Sequence, residues 1–400
     1  MPQSEKLKVL YATPSVSRLF TGVYEVEKNI ALQLTQLDID IEVHGMIDQY
    51  TNQDLPNWMP LKPILYEARS PKSLGYNPAY LKNLLNSNAH VGHIHSLWSY
   101  TSYALYKWAK AKKKPYLFTV NGYLYESALK HSGLKKKIAF NLGFDKVISQ
   151  ADCIQVNTVA EYNAVRKLGF KNPICIISNG VNLPDLPFDG SPPWKDNPHT
   201  AGKKILLYLS RIHPQKGVDL LIDAWKTLSL KAQLQDWHLV VVGFSEENSA
   251  FESQLKKSVK DNNLTDSITL LPGQYDKMMQ ACYANCTGFI LPSFNEGASI
   301  AALNALAFSK PAVITPGCNL SESYAREAAI QIETTPESIS SGILELINMP
   351  DSERNEMGAK GRVLVEEKYS WKSVSLKVLE IYKWLENKNE ITMPSTVVID

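Results

Sequence analysis

The stretch FILPSFNEGASIAALNALAFSKPAVIT, residues 289 to 315, constrains the fold more than any other part of the chain. Phe289 to Leu291 reads as a short apolar strand, Pro292 to Asn295 as a turn, and about Ala298 to Phe308 as a helix of small residues. Lys310-Pro311 stops that helix, and Ala312 to Thr315 opens another strand. The result is a βαβ unit with a carboxylate and a glycine, Glu296-Gly297, at the strand-to-helix turn. A helix start offers unpaired N–H groups and the positive end of a dipole, which suits a phosphate or a sugar hydroxyl. A glycine there lets a ligand approach the backbone. Many α/β proteins have such a glycine, so the weight of this unit rests on its surroundings.

Those surroundings repeat the pattern. Leu7 to Ala12 is a buried-type strand, followed by a polar loop to Gly22-Val23. Tyr24 to Leu37 is an amphipathic helix with Val26, Ile30, Leu34 and Leu37 on one face, and Ile39 to Gly45 is a second strand. Residues 46 to 90 are less regular. Val91 to His95, Pro115 to Val120, Cys153 to Asn157 and Ile174 to Ile177 are further strands, with helices between them. Residues 184 to 204 are dense in proline, glycine and polar residues and read as a linker or exposed crossover. A second α/β series then runs from Ile205 to a long helix near Trp371 to Trp384, and the last dozen residues read as a tail. No GxGxxG is present, so this is not a dinucleotide fingerprint.

A chain of 400 residues exceeds one ordinary core and suits two domains. With 44% apolar and 20% charged residues it has the make-up of a globular protein, without a run of 18 apolar residues or a signal-peptide core. Five scattered cysteines fit a reducing compartment, and Cys282 and Cys286, at helical spacing, read as core packing. A cytoplasmic location is expected. The net charge of +2 hides an asymmetry: 21 basic against 14 acidic residues through Pro187, then 21 against 26. Much of the excess sits in Lys107 to Lys114 and Lys130 to Lys137. These segments read either as solvated helix faces or as contacts with an anionic membrane surface or a phosphate-bearing substrate. Tyr103, Leu105, Tyr106 and Trp108, interleaved with the first cluster, favour the membrane reading. No nucleic-acid module accompanies the charge.

The residues that could carry chemistry lie at strand ends. Arg211 and Lys216 follow a buried strand, with Gly217 opening the next helix; two cations and a helix start suit a diphosphate. Glu296 could accept from sugar hydroxyls, or could be an ordinary acid at a helix start. His95 closes a strand and could donate to a substrate, although a lone histidine is more often structural. Ser178-Asn179-Gly180 reads as a strand-end turn. There is no GxSxG, no histidine/cysteine metal spacing and no DxD pair in a plausible loop, so neither a hydrolase triad nor a metal site has support.

LSRIHPQKGVDLLIDAW (209–225), residues 289–315 and ISNGVNLP (177–184) resemble the retaining GT-B glycosyltransferases of family 4. HIHSLWSY (93–100) and TVNGYLYESALKHSGLKKKIAF (119–140) resemble a subgroup common in bacterial exopolysaccharide and O-antigen clusters. The resemblance covers about residues 7 to 385. It implies that Arg211 and Lys216 bind donor phosphates, and that Glu296 and the N–H groups of Gly297, Ala298, Ser299 and Ile300 hold the donor sugar. It implies further that Gly22 approaches the donor phosphate, with Gly243, Gly273 and Asn304 as additional donor contacts and His95 and Asn121 as acceptor or sugar contacts. No metal or cofactor is implied; the co-substrate is a nucleotide-diphosphate sugar.

The chain departs from the family pattern at several of these positions. Thr21-Gly22 stands where two glycines are usual, Asn121 where histidine is usual, and Asn304 where a second glutamate is usual. Ala298-Ser299 replaces bulkier residues. Asparagine offers one acceptor oxygen and no charge, so a ribose contact at Asn304 would be weaker by roughly 1–3 kcal/mol.

The expected architecture is α/β of the GT-B type, two Rossmann-like doubly wound domains facing across a cleft. Residues 1–187 are expected to form the acceptor-side domain, 188–202 a linker and 203–370 the nucleotide-sugar domain. Residues 371–386 are expected to form a helix returning to the first domain, and 387–400 a tail. The expected activity is retaining, metal-independent transfer of a sugar to a glycan or lipid-linked acceptor in cell-surface polysaccharide synthesis, at the inner face of the membrane. The alternative is a catalytically degenerate GT-B protein that acts as partner or scaffold of an active glycosyltransferase.

Overall fold

The computed structural model describes residues 6–69, 74–130, 143–231, 233–245 and 249–399. The chain divides into two compact units. The first comprises Met1–Gly180 with Trp371–Asp400, and the second Val181–Ser370.

The first unit is built on one sheet. Its strands are β1 (Lys8–Thr13), β2 (Asp40–Met46), β3 (Ile64–Tyr66), β4 (Val91–Ile94), β5 (Tyr116–Thr119), β6 (Cys153–Val156) and β7 (Ile174–Ile176). A terminal strand, Val397–Val398, completes it. The order is terminal strand, β7, β6, β5, β4, β1, β2, β3. All pairings are parallel except that of the terminal strand, where Val397 faces Cys175. A parallel sheet buried on both faces demands apolar runs, and β4 and β5 are buried at every position. The helix Thr21–Gln36 lays Tyr24, Val26, Ile30 and Leu34 into the core, a spacing of one helical face. Against it packs the helix Trp371–Glu386, through Trp371, Val374, Val378, Tyr382 and Leu385.

In the second unit the strands are β8 (Lys204–Leu209), β9 (Trp237–Phe244), β10 (Ile268–Pro272), β11 (Gly288–Leu291), β12 (Ala312–Ile314) and β13 (Ala329–Gln331). They run in the order β10-β9-β8-β11-β12-β13, all parallel. This is the doubly wound order 3-2-1-4-5-6. The βαβ unit at 289–315 is present, but its helix spans Ile300–Ala307 and starts two residues later than the sequence suggests. The cause is Ser299, whose Oγ accepts from Ala302 N–H at 3.4 Å and so caps the helix.

Three boundaries differ from the sequence reading. Residues 188–202 are not a connector. They belong to the second unit, and Trp194 is 4% exposed in its core. Proline and glycine density signals exposure, but one tryptophan suffices to anchor the segment, and Thr200 Oγ donates to its carbonyl at 2.9 Å. Residues 181–187 likewise lie in the second unit. The supposed tail, 387–400, supplies the terminal strand, too short to register as a pattern. β3, three residues long, was hidden in the irregular stretch 46–90 for the same reason.

The basic cluster Lys107–Lys114 also needs correcting. The helix Tyr100–Lys112 turns Lys107, Lys110 and Lys112 outward but buries Leu105, Tyr106 and Trp108, each at most 3% exposed. These aromatic and apolar side chains are core residues, not an exposed membrane-facing stripe. The second cluster, Lys130–Lys137, falls outside the described residues apart from the backbone of Lys130. Among the described residues no helix is long and apolar enough to cross a membrane. All five cysteines are free and buried, Cys282 and Cys286 within the second core.

Candidate functional site: the strand ends of each unit

In an open doubly wound sheet the crevice for a ligand lies beyond the strand ends where strand order reverses. In the second unit that point falls between β8 and β11. The loop after β8 carries Arg211 and Lys216, and the loop after β11 carries Glu296 and Gly297.

The two loops are tied to each other. Phe294 N–H donates to Gln215 O at 2.9 Å, and Ser293 Oγ to the same carbonyl at 3.1 Å. Gly217 has φ +64°, and a Cβ there would stand 2.3 Å from Pro292 O, so only glycine permits this approach. Behind them, Thr315 Oγ donates to Ser293 O at 2.5 Å, Glu296 N–H to Gly317 O at 2.8 Å and Asn319 Nδ2 to Glu296 O at 2.7 Å.

On this frame Lys216 Nζ meets Glu296 Oε1 at 2.5 Å, both side chains 13% exposed. Arg211, on the same loop, is exposed and has no hydrogen-bond or ion-pair partner among the described residues. Of the four N–H groups expected to face a ligand, that of Ser299 is already given to Cys318 O at 3.1 Å. Those of Gly297, Ala298 and Ile300 have no partner among the described residues. Beneath the loops the phenol of Tyr208 is buried; burial first, and then the charge of Glu296, raises its pKa against a hydrogen bond with Ser210.

Other expected contacts are placed differently. Gly243, the penultimate residue of β9, has φ +141°, and a Cβ would fall 1.8 Å from Ser210 O. The fold therefore explains this glycine without a ligand. Gly273, just beyond β10, donates its N–H to Phe244 O at 3.0 Å. Asn304 is half-buried in the helix Ile300–Ala307, with its side chain beside the Tyr283 phenol.

In the first unit strand order reverses between β1 and β4. His95, at the end of β4, is fully buried; burial lowers its pKa to about 3, so the ring is neutral. Neither ring nitrogen has a hydrogen-bond partner among the described residues, and the ring lies 3.8 Å, centroid to centroid, from that of His93. Asn121 donates from Nδ2 to His95 O at 3.0 Å and holds φ +45°, a left-handed conformation in which asparagine is enriched. Gly22 is exposed in the first turn of the helix Thr21–Gln36, and a Cβ there would meet nothing within 4 Å. Thr21 before it adopts φ 45°, ψ −124°, a strained conformation for any residue but glycine.

Residues 22–184 match the family described as Glycosyltransferase Family 4, and residues 194–364 the family described as Glycosyl transferases group 1. The chain carries the two domains of a GT-B glycosyltransferase. It is 25% identical over 312 residues to an uncharacterized glycosyltransferase of Methanocaldococcus jannaschii, covering 76% of this chain and 79% of that protein. It is 31% identical over 233 residues to the human alpha-1,3/1,6-mannosyltransferase, covering 55% of each. A Salmonella typhimurium lipopolysaccharide 1,2-N-acetylglucosaminetransferase is 29% identical over 46% of this chain and 49% of its own. The chain thus spans from about half to four fifths of these relatives. By fold it resembles a glycosyltransferase from Rickettsia africae, with TM-score 0.71 and 17% identity over 96% of this chain and all of that one. It also resembles Anabaena HepE in complex with UDP, with TM-score 0.71 and 14% identity over 94% of this chain and all of that one.

Two carboxylates of this glycosyltransferase chain went unremarked in the sequence. Glu161 accepts Gly122 N–H and Asn157 N–H, both at 2.6 Å, and so ties the ends of β5 and β6; burial raises its pKa against the pull of those bonds. The spacing Thr158-x-x-Glu161 was its sequence signal, a capping-box pattern. Glu27, 1% exposed in a helix interior, had no comparable signal.

Proposed function

We propose that this chain is an active glycosyltransferase whose second unit holds a nucleotide-diphosphate sugar. The observation that carries the reading is the group of three charges at the β8/β11 strand ends: Arg211 unpaired, and Lys216 and Glu296 in contact. A diphosphate leaving group needs cations, and sugar hydroxyls need a carboxylate acceptor. Arg211 and Lys216 supply the first and Glu296 the second, with the N–H groups of Gly297, Ala298 and Ile300 beside it. The two cations and the helix start would take the leaving-group charge without a metal. Transfer with retention of anomeric configuration, to a glycan or lipid-linked acceptor of a surface polysaccharide, follows the family resemblance. The relatives that transfer mannose and N-acetylglucosamine, and the UDP bound to HepE, support these substrate kinds. Lys107, Lys110, Lys112 and Lys113, outward on one helix end, suit an anionic membrane at the cytoplasmic face.

A second reading, a degenerate partner of an active glycosyltransferase, draws on Asn121 and Asn304. The first bonds to a backbone carbonyl and the second faces a tyrosine, in place of the charged and aromatic donor contacts usual in the family. Calorimetry and donor-hydrolysis assays across UDP-, GDP- and ADP-sugars separate the two. Binding with turnover supports the transferase. A folded protein that binds no nucleotide overturns it in favour of the partner.

A further inference from the structure

The Lys216–Glu296 contact presents any donor with a conflict. The diphosphate needs the lysine and the sugar needs the glutamate, yet each is already satisfied by the other at 2.5 Å. Their backbones are held: Lys216 N–H donates to His213 O, the neighbouring Gln215 O accepts from Phe294 N–H and Ser293 Oγ, and Glu296 is tied to Gly317 O and Asn319 Nδ2. Only the two side chains are left to swing. With 13% exposure each, neither can rely on water once its partner leaves.

We infer that this ion pair sets the preference of the site for an intact nucleotide sugar over the bare nucleoside diphosphate, an inference that rests on the function proposed above. A nucleotide sugar that draws Lys216 onto its phosphates returns hydroxyl donors to Glu296, so both charges end paired. A nucleoside diphosphate draws Lys216 away and leaves a largely buried carboxylate with nothing in exchange. The free energy of that uncompensated carboxylate is charged to the diphosphate alone. Arg211, free of any such partner, gives both ligands the same first contact. Spent donor therefore leaves more readily than fresh donor enters into equilibrium with it, and product inhibition is weak.

The test is calorimetry with UDP, GDP and ADP, and with the matching nucleotide sugars, on wild type, Glu296→Gln, Glu296→Ala, Lys216→Gln and the Lys216→Gln/Glu296→Gln double variant. Glu296→Gln frees Lys216, so the bound nucleoside diphosphate tightens about tenfold while the nucleotide sugar weakens. Glu296→Ala, which frees the same lysine, gives the same rise for the diphosphate. In the Lys216→Gln background the gain on removing Glu296 disappears, since no lysine is left to free. A merely structural role for the pair would move both ligands in the same direction, and that result, or an unchanged diphosphate affinity, overturns the inference while leaving the donor site standing. No nucleotide binding by folded wild type, shown by an intact melting transition, overturns the donor-site reading and this inference with it.

Discussion

His93 and Tyr382 share a hydrogen bond of 2.5 Å, ring Nδ1 to phenol, that joins β4 to the last helix of the chain. The phenol also meets the Tyr11 hydroxyl at 2.9 Å, and His93 Nε2 meets Thr119 Oγ at 2.7 Å. All four side chains are buried. Tyr382→Phe removes one oxygen and strands two buried groups, each costing about 1–3 kcal/mol. The expected loss is about 2–5 kcal/mol by denaturant unfolding. A loss below 0.5 kcal/mol, the size of an ordinary surface change, would show that the network is not built as described.

Glu27 gives the first unit a pH dependence of unusual sign. Burial raises its pKa to about 8, and Thr13 Oγ donates to it at 2.6 Å. Between its unfolded value of 4.5 and about 8 the folded state holds a proton that the unfolded chain has released. Stability from this group is full below 4.5 and falls as pH rises through that window, by up to about 1.4 kcal/mol per pH unit. Glu27→Gln keeps an acceptor for Thr13 and abolishes the titration. The stability gap between variant and wild type therefore widens in favour of the variant from pH 5 to pH 8, as urea melts at each pH will show; parallel profiles would refute the assignment.

At the proposed donor site, Arg211→Ala and Lys216→Ala each remove a charge-assisted hydrogen bond to the diphosphate, about 1.5–3 kcal/mol. Nucleotide-sugar affinity drops about tenfold or more in each, while Tm stays within a degree or two for Arg211→Ala, since that side chain has no partner among the described residues. Unchanged affinity in both variants sinks the donor site.

Asn304→Glu asks whether the helix Ile300–Ala307 touches the donor ribose. Asn304 lies in the second turn of that helix, which begins just after the Glu296-Gly297 loop, and a carboxylate there could accept from both ribose hydroxyls. In an active transferase the change keeps or tightens donor binding. Its position beside Tyr283 supplies a control, because a carboxylate that turned inward to that phenol would lower stability and leave donor affinity unmoved. Calorimetry and melting curves on the same sample read both.

The strand-loop-helix repeats were legible because parallel strands buried on both faces must be apolar along their length. β8, β9 and β11 all stand out as such runs. The charged loop residues Arg211, Lys216 and Glu296 were legible because they interrupt apolar elements at fixed ends. What could not be read was contact between distant segments. Nothing in the sequence pairs Lys216 with Glu296, 80 residues apart, or His93 with Tyr382, 289 apart. Gly243 has a second role that the sequence did not show. A glycine at a strand end suggests a ligand, but here the neighbour that crowds it is the backbone of Ser210. The aromatic residues among Lys107–Lys114 misled because a helix face is three-dimensional, and interleaving in sequence is not adjacency on a surface.

The chain leaves the first unit once and comes back to it once. Val181 N–H donates to Tyr369 O at 2.8 Å, and Val181 bridges Ser370, so the two ends of the second unit are clasped side by side. The second unit is thus one uninterrupted segment with adjoining ends, complete in itself as soon as Ser370 has been made. The first is not: its core waits for Trp371, Val378 and Tyr382. On the ribosome the later-encoded unit can finish before the earlier one, which stays open at the face of the helix Thr21–Gln36 until the helix Trp371–Glu386 has been made. A chain clipped near residue 370 would carry a finished second unit and an unfinished first one, and would be marked for the chaperones by that bare helix face.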